Sequence, residues 1–184
     1  MPAGLSRDEP EVSPARVLIG GVGYRNLRDH SVGPVLVEHL AKLDWPQGIE
    51  VDDLSFGPIA LVHRLREVPP YDRMVLISAV ERGRVPGEVS RYQWSGVLPD
   101  PDEIQARVAE AVTGVISLDN LLVIGQYFGV LPDDVVVLEV EPAVEDWGAD
   151  FTPVVAQALD RVEELAREAA LDGLSSLRKE QLKA

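Results

Sequence analysis

Val17 to Gly33 reads VLIGGVGYRNLRDHSVG, and the fold class follows from how this stretch is parsed. Val17, Leu18 and Ile19 are apolar, Gly20, Gly21 and Gly23 suggest a turn, and a polar loop with Asn26, Arg28, Asp29 and His30 follows. After Gly33 and Pro34 the apolar spacing becomes helical, through Val35, Leu36, Leu40 and Leu43. A buried strand, a glycine turn, a polar loop and a helix start are the first half of a βαβ unit. In open α/β sheets, ligands sit beyond the carboxyl ends of the strands, which makes Tyr24 to Ser31 the first candidate for a functional segment. The glycines do not spell a dinucleotide site. Asn26 stands where G-x-G-x-x-G needs its third glycine, and no acidic residue ends the second strand in the way a ribose-binding residue would, although Asp52 and Asp53 lie inside it. A tight turn that requires small residues explains them more simply.

The same alternation runs along the chain. Strands are expected at 15–19, 49–54, 73–80, 88–94 and 135–140, and helices at 32–43, 58–68, 103–112, 118–127 and from Pro153 onward with Thr152 as cap. Met74 to Ile77 is a continuous apolar run, as expected of a strand covered on both faces. The expectation is a single-domain three-layer α/β sandwich, with a mainly parallel central sheet and helices on both faces. Val17–Ile19 and Met74–Ile77 should be adjacent central strands. Residues 1–14 read as a disordered leader, 15–171 as the domain and 172–184 as a flexible tail.

Composition narrows the function classes. The chain has 184 residues and a formal net charge of −14, which argues against nucleic acid or an anionic membrane as partner. It has no cysteine, which removes disulfides, thiolate metal sites and a cysteine nucleophile. There is no signal-peptide core and no membrane-length apolar run, so a cytoplasmic protein is expected. G-x-S-x-G, H-E-x-x-H and P-loop motifs are all missing.

The loops after the first, second, third and last strands open on one edge of the sheet. They place Asp29, His30, Ser55, Ser78, Glu81 and Glu141 there as candidate site residues. Asp29, His30 and Glu81 could converge on a metal ion; the alternative is that Asp29 braces the glycine loop and His30 is solvated. A hydrolase-like arrangement of Ser78 and His30, with Asp29 or Glu81 orienting the histidine, is a weaker reading, since nothing around Ser78 suggests a strained elbow. Glu139 and Glu141 read as solvated edge residues, and Trp45, Trp94 and Trp147 as core or loop anchors.

At this point the pattern resembles a family, the hydrogenase maturation endopeptidases, over about residues 16–165. Its first motif, a strand followed by G-x-G-N and then D-[DE]-G-x-G or a close variant, is matched by Gly21-Val22-Gly23-Tyr24 and Asp29-His30-Ser31-Val32-Gly33. The Asp-Ala step and G-x-x-P-G-T loop after its third strand are matched by Ser78-Ala79 and Gly83-Arg84-Val85-Pro86-Gly87-Glu88. Its closing Pro, Trp-Gly and helix start are matched by Pro142, Trp147-Gly148 and Phe151-Thr152-Pro153.

The resemblance implies a peptidase fold acting on, or binding, the C-terminus of a partner protein such as a nickel-iron hydrogenase large subunit. Nickel would be cargo carried by that substrate, and no cofactor of the chain's own is implied. It also implies Asp29 and His30 as catalytic positions, His30 as a metal-facing position, and a groove along Gly21, Gly23, Tyr24, Asn26, Ser78 and Gly114; Glu81 is a metal-facing candidate from its loop position alone. The departures fall on the chemistry. His30 stands at a family Glu, Ser78 at a family Asp, Tyr24 at the motif Asn, and no histidine lies in Val112 to Ser117, where an ungapped reading places the third position near Gly114. With one imidazole where the family offers three side chains, weak metal binding is expected. Three functions stay open: a peptidase, a binding protein that has lost the cut, and a small-molecule-binding α/β domain.

Overall fold

The computed structural model describes residues 15–181, so the expected leader at 1–14 and the last residues of the expected tail lie outside the described residues. Five strands form one sheet: β1 (Val17–Val22), β2 (Ile49–Asp53), β3 (Arg73–Ala79), β4 (Val89–Gln93) and β5 (Asp134–Val140). Their spatial order is β2-β1-β3-β5-β4. All neighbours are parallel except β4, which runs antiparallel on the outer edge of β5. The apolar runs of β1 and β3 lie side by side, with Val17 opposite Arg73 and Ile19 opposite Val75.

Five helices cover the sheet: α1 (Val32–Leu40), α2 (Pro58–Glu67), α3 (Pro101–Val112), α4 (Leu118–Tyr127) and α5 (Pro153–Gln181). Alternation along the strands assigns the layers. Val17, Ile19, Val75, Ile77, Val136 and Leu138 pack with α1 and α5. Leu18, Met74, Leu76, Val135 and Val137 face the other way, against Leu61 of α2 and Leu118, Leu121 and Leu122 of α4. Among the described residues no helix is long and apolar enough to cross a membrane.

Two readings change. Gly20 and Gly21 are not a turn: both are inside β1, paired with Asp52 and Asp53 on one side and Leu76 and Ile77 on the other. A Cβ on Gly21 would run into the Gly33 carbonyl oxygen of α1, so this glycine lets helix and strand touch. Of the three glycines only Gly23 lies beyond the strand, in a bend at φ 158°, and the turn itself follows at Arg25 and Asn26. At the other end, α5 continues past Gly173 to Gln181, with Leu174 buried against the core, where a loose tail had been expected.

Candidate functional site

The loops leaving the carboxyl ends of β1, β3 and β5, with the α3–α4 connection, enclose a cleft of about 290 Å³. Tyr24, His30, Ser78, Glu81, Ser117 and Glu145 line it. His30 sits on a short 3-10 turn, Arg28–Ser31, that hands the chain from β1 to α1. Its Nε2 is buried, has no hydrogen-bond partner, and lies 3.8 Å from Glu81 Oε1. Glu81 is exposed at the start of the β3–β4 loop. Glu145 is exposed in the β5–α5 loop. One ligand atom from each of His30, Glu81 and Glu145 lies within 4.8 Å of the others. Glu145 escaped the sequence reading, being one acid in an acidic loop; its position after the last strand, on the same sheet edge, was the available signal.

Asp29 and His30, adjacent in sequence, face different surroundings. Asp29 is 0% exposed. Its carboxylate accepts from the backbone N–H groups of Ala143 (2.9 Å), Val144 (3.3 Å) and Thr152 (2.8 Å), and from the Thr152 hydroxyl (2.8 Å). Asp29 therefore braces the β5–α5 loop and does not line the cleft. Thr152 precedes α5 as expected, but its hydroxyl donates to Asp29. No hydrogen bond joins Ser78, His30 and Asp29 among the described residues, and the Ser78 hydroxyl donates to the next carbonyl, Ala79 O, at 3.3 Å. The triad reading falls.

The other expected positions divide. Gly23 and Tyr24 line the cleft, and the Tyr24 hydroxyl accepts from Ile116 N at 2.8 Å, tying the α3–α4 connection to the first loop. Gly21 is closed off by the helix contact described above. Asn26 (φ 61°) lies outside the cleft lining; its carbonyl accepts from Gly148 N at 2.9 Å. Gly114 follows α3 with open space around it and is not among the lining residues; Ser117, which the sequence reading did not single out, lines the cleft instead. Ser55 binds the β2 end, its N–H donating to Asp53 at 2.9 Å.

Glu139 and Glu141 are not solvated: they are 0% and 4% exposed. The Glu141 carboxylate accepts from the N–H groups of Arg82 (2.9 Å) and Gly83 (3.0 Å). Glu139 receives Arg82 at 2.7 Å, Arg84 at 2.9 Å and the Tyr92 hydroxyl at 2.8 Å. Burial pushes the Glu139 carboxyl up, but the hydrogen bonds from Arg82, Tyr92 and Arg84 and the Arg82 charge outweigh it and hold it below the ordinary value. Hydrogen bonds to Asp119 and Glu139 raise the Arg82 guanidinium, which stays charged. These bonds fix the loop that starts with Glu81. Trp147, expected as an anchor, is 78% exposed.

Three-dimensional comparison connects this arrangement to known proteins. The fold matches the hydrogenase maturating endopeptidase HybD from E. coli with a TM-score of 0.62 and 21% identity, over 90% of this chain and 93% of that one. It matches the hydrogenase 2 maturation peptidase from a Thaumarchaeota archaeon at 0.60 and 24% identity, over 84% and 97%. The [NiFe] hydrogenase maturation protease HycI from Thermococcus kodakarensis follows at 0.57 and 17%, over 86% and 94%. The chain has the hydrogenase maturation protease fold. No protein-family model matches the sequence and no curated protein matches it significantly, so the likeness to the hydrogenase maturation proteases lies in the fold. In this version of the fold, the cleft residues include His30, Ser78, Glu81 and Glu145.

Proposed function

We propose that this protein receives the C-terminal segment of a partner protein, of the nickel-iron hydrogenase large-subunit class, in the cleft between the His30, Glu81 and Glu145 loops. The fold supports the substrate class. Efficient cleavage is not part of the proposal, and one observation carries that choice. Asp29, the carboxylate expected to work beside His30, is saturated by three backbone N–H groups and a hydroxyl. It has no acceptor capacity pointed at the cleft with which to orient an imidazole or take a proton from water. Ser78 does not compensate, since its hydroxyl donates to Ala79 O and, among the described residues, no base is hydrogen-bonded to it.

The deciding experiment incubates the full chain with a nickel-loaded hydrogenase large-subunit precursor and follows two readouts. The expected result is a complex on size exclusion that requires the precursor's C-terminal extension, with no C-terminal peptide released by mass spectrometry. Release of the peptide at a useful rate, lost in His30→Ala, would make the protein a peptidase. Absence of any complex would remove the hydrogenase reading.

A further inference from the structure

The cleft contains a ligand set that the family resemblance does not supply. Resting on the proposed function and deepening it, we propose that His30, Glu81 and Glu145 together bind a divalent transition-metal ion, with the rest of its coordination sphere left open to the docked segment.

Geometry comes first. The three ligand atoms lie within 4.8 Å of one another. Bonds of about 2.0–2.2 Å to nitrogen and oxygen place ligand atoms roughly 3–4 Å apart, so the set closes with rotations of two glutamate side chains. Both glutamates are exposed and free to make them. Charge is the second argument. Two carboxylates and one neutral imidazole offset a dication. Among the described residues neither glutamate is paired with Lys or Arg; the contact of Glu81 is His30 itself. The third argument is the orphaned atom. His30 Nε2 is buried and unpartnered, in a fold where buried polar atoms normally find partners. A metal ion at the centre of the trio would give it one.

The resemblance alone predicted a depleted site, because Ser78 stands where a carboxylate is expected and no histidine follows α3. The trio restores two carboxylates and one imidazole from other loops, sharing only the His30 position. Mixed nitrogen and oxygen donors suit nickel, cobalt or zinc better than the all-oxygen coordination favoured by calcium or magnesium. The supports are rigid. The Glu145 loop hangs on Asp29 through Ala143 and Val144. The Glu81 loop is fixed immediately downstream, where Arg82 reaches Asp119 and Glu139 and its N–H reaches Glu141.

The test uses the metal alone: cobalt(II) titrated into the full chain and followed by its visible absorption, with nickel titrated by calorimetry. One equivalent is expected to bind with an imidazole-containing spectrum. His30→Ala, Glu81→Gln and Glu145→Gln should each weaken binding by on the order of 10–100-fold or more. Asp146→Asn, one residue from Glu145, should not. Urea midpoints of the glutamate variants, unchanged from the parent, separate ligand loss from misfolding. Absence of stoichiometric binding would overturn the inference, as would affinity indifferent to both Glu81→Gln and Glu145→Gln. A chain that binds cobalt but no hydrogenase segment keeps the metal site and removes the partner. A chain that binds the segment but no metal does the reverse.

Discussion

Asp29, Glu139 and Glu141 stand at the same sheet edge as Glu81 and Glu145, yet the two groups do opposite things. The first three are buried, and every one is saturated by backbone N–H groups, arginines or hydroxyls. The other two are exposed and line the cleft, with ligand atoms within 4.8 Å of His30 and of each other. The difference is one of sequence distance and burial. A carboxylate that draws donors from a distant loop becomes a brace, because removing it strands donors in a dry interior. A carboxylate without donors of its own keeps its lone pairs for a ligand. Candidate acids at a site are therefore sorted by what already occupies their oxygens.

Four substitutions put this division under strain. The largest effect is expected from Asp29→Ala, which leaves three N–H groups and a hydroxyl without their charged acceptor. The cost should be roughly 3–5 kcal/mol in urea unfolding. A loss below about 1 kcal/mol would mean that the β5–α5 loop stands without Asp29, and would return Asp29 to the list of chemical candidates.

Glu139→Gln comes next, at about 2–4 kcal/mol, since it uncouples Arg82 and Arg84 from a buried partner while keeping one acceptor oxygen. Its pH signature is directional. The folded-state pKa of Glu139 lies below its unfolded value, so its stabilisation is fully present above the ordinary carboxylate range. It is lost as pH falls through the lower, folded-state value. The variant's urea midpoint should accordingly fall less steeply than the parent's on acidification below about pH 4.5. Identical acid profiles would show that Glu139 takes no part in the acid sensitivity.

The smallest effect belongs to the cleft pair. Glu81→Gln and Glu145→Gln should change stability by less than about 0.5 kcal/mol in the absence of metal. A destabilisation above about 1 kcal/mol in thermal or urea melts would move these residues to the bracing side of the comparison.

Much of the fold was legible because buried parallel strands and amphipathic helices leave periodic signatures. Met74 to Ile77 reads as a doubly covered strand, and it is one. The misplaced end of β1 has a local cause. Glycines in sequence read as turns, whereas Gly21 is a strand residue made small by the Gly33 carbonyl behind it. His30 and Glu81 were legible as cleft residues from their positions just past strand ends. The role of Asp29 was not, because its partners lie 114 to 123 residues away. The burial of Glu139 and Glu141 depends on arginines and backbone amides 55 to 59 residues upstream, which no local pattern announces. Glu145 was hidden by its acidic neighbours; only the folded loop distinguishes it.

The strand order has a consequence for the making of the chain. β4 is translated before β5 but pairs only with β5, and Asp29, near the start, waits for donors at Ala143, Val144 and Thr152. As synthesis proceeds, β2, β1 and β3 can assemble early, while β4 has no neighbour and the carboxylate of Asp29 has no loop to hold. Such long closures are slow relative to local helix formation. The cleft is thus among the last features to take shape, and a nascent chain that has not yet released the residues after β5 carries His30 and Glu81 without the loop that brings Glu145 to them.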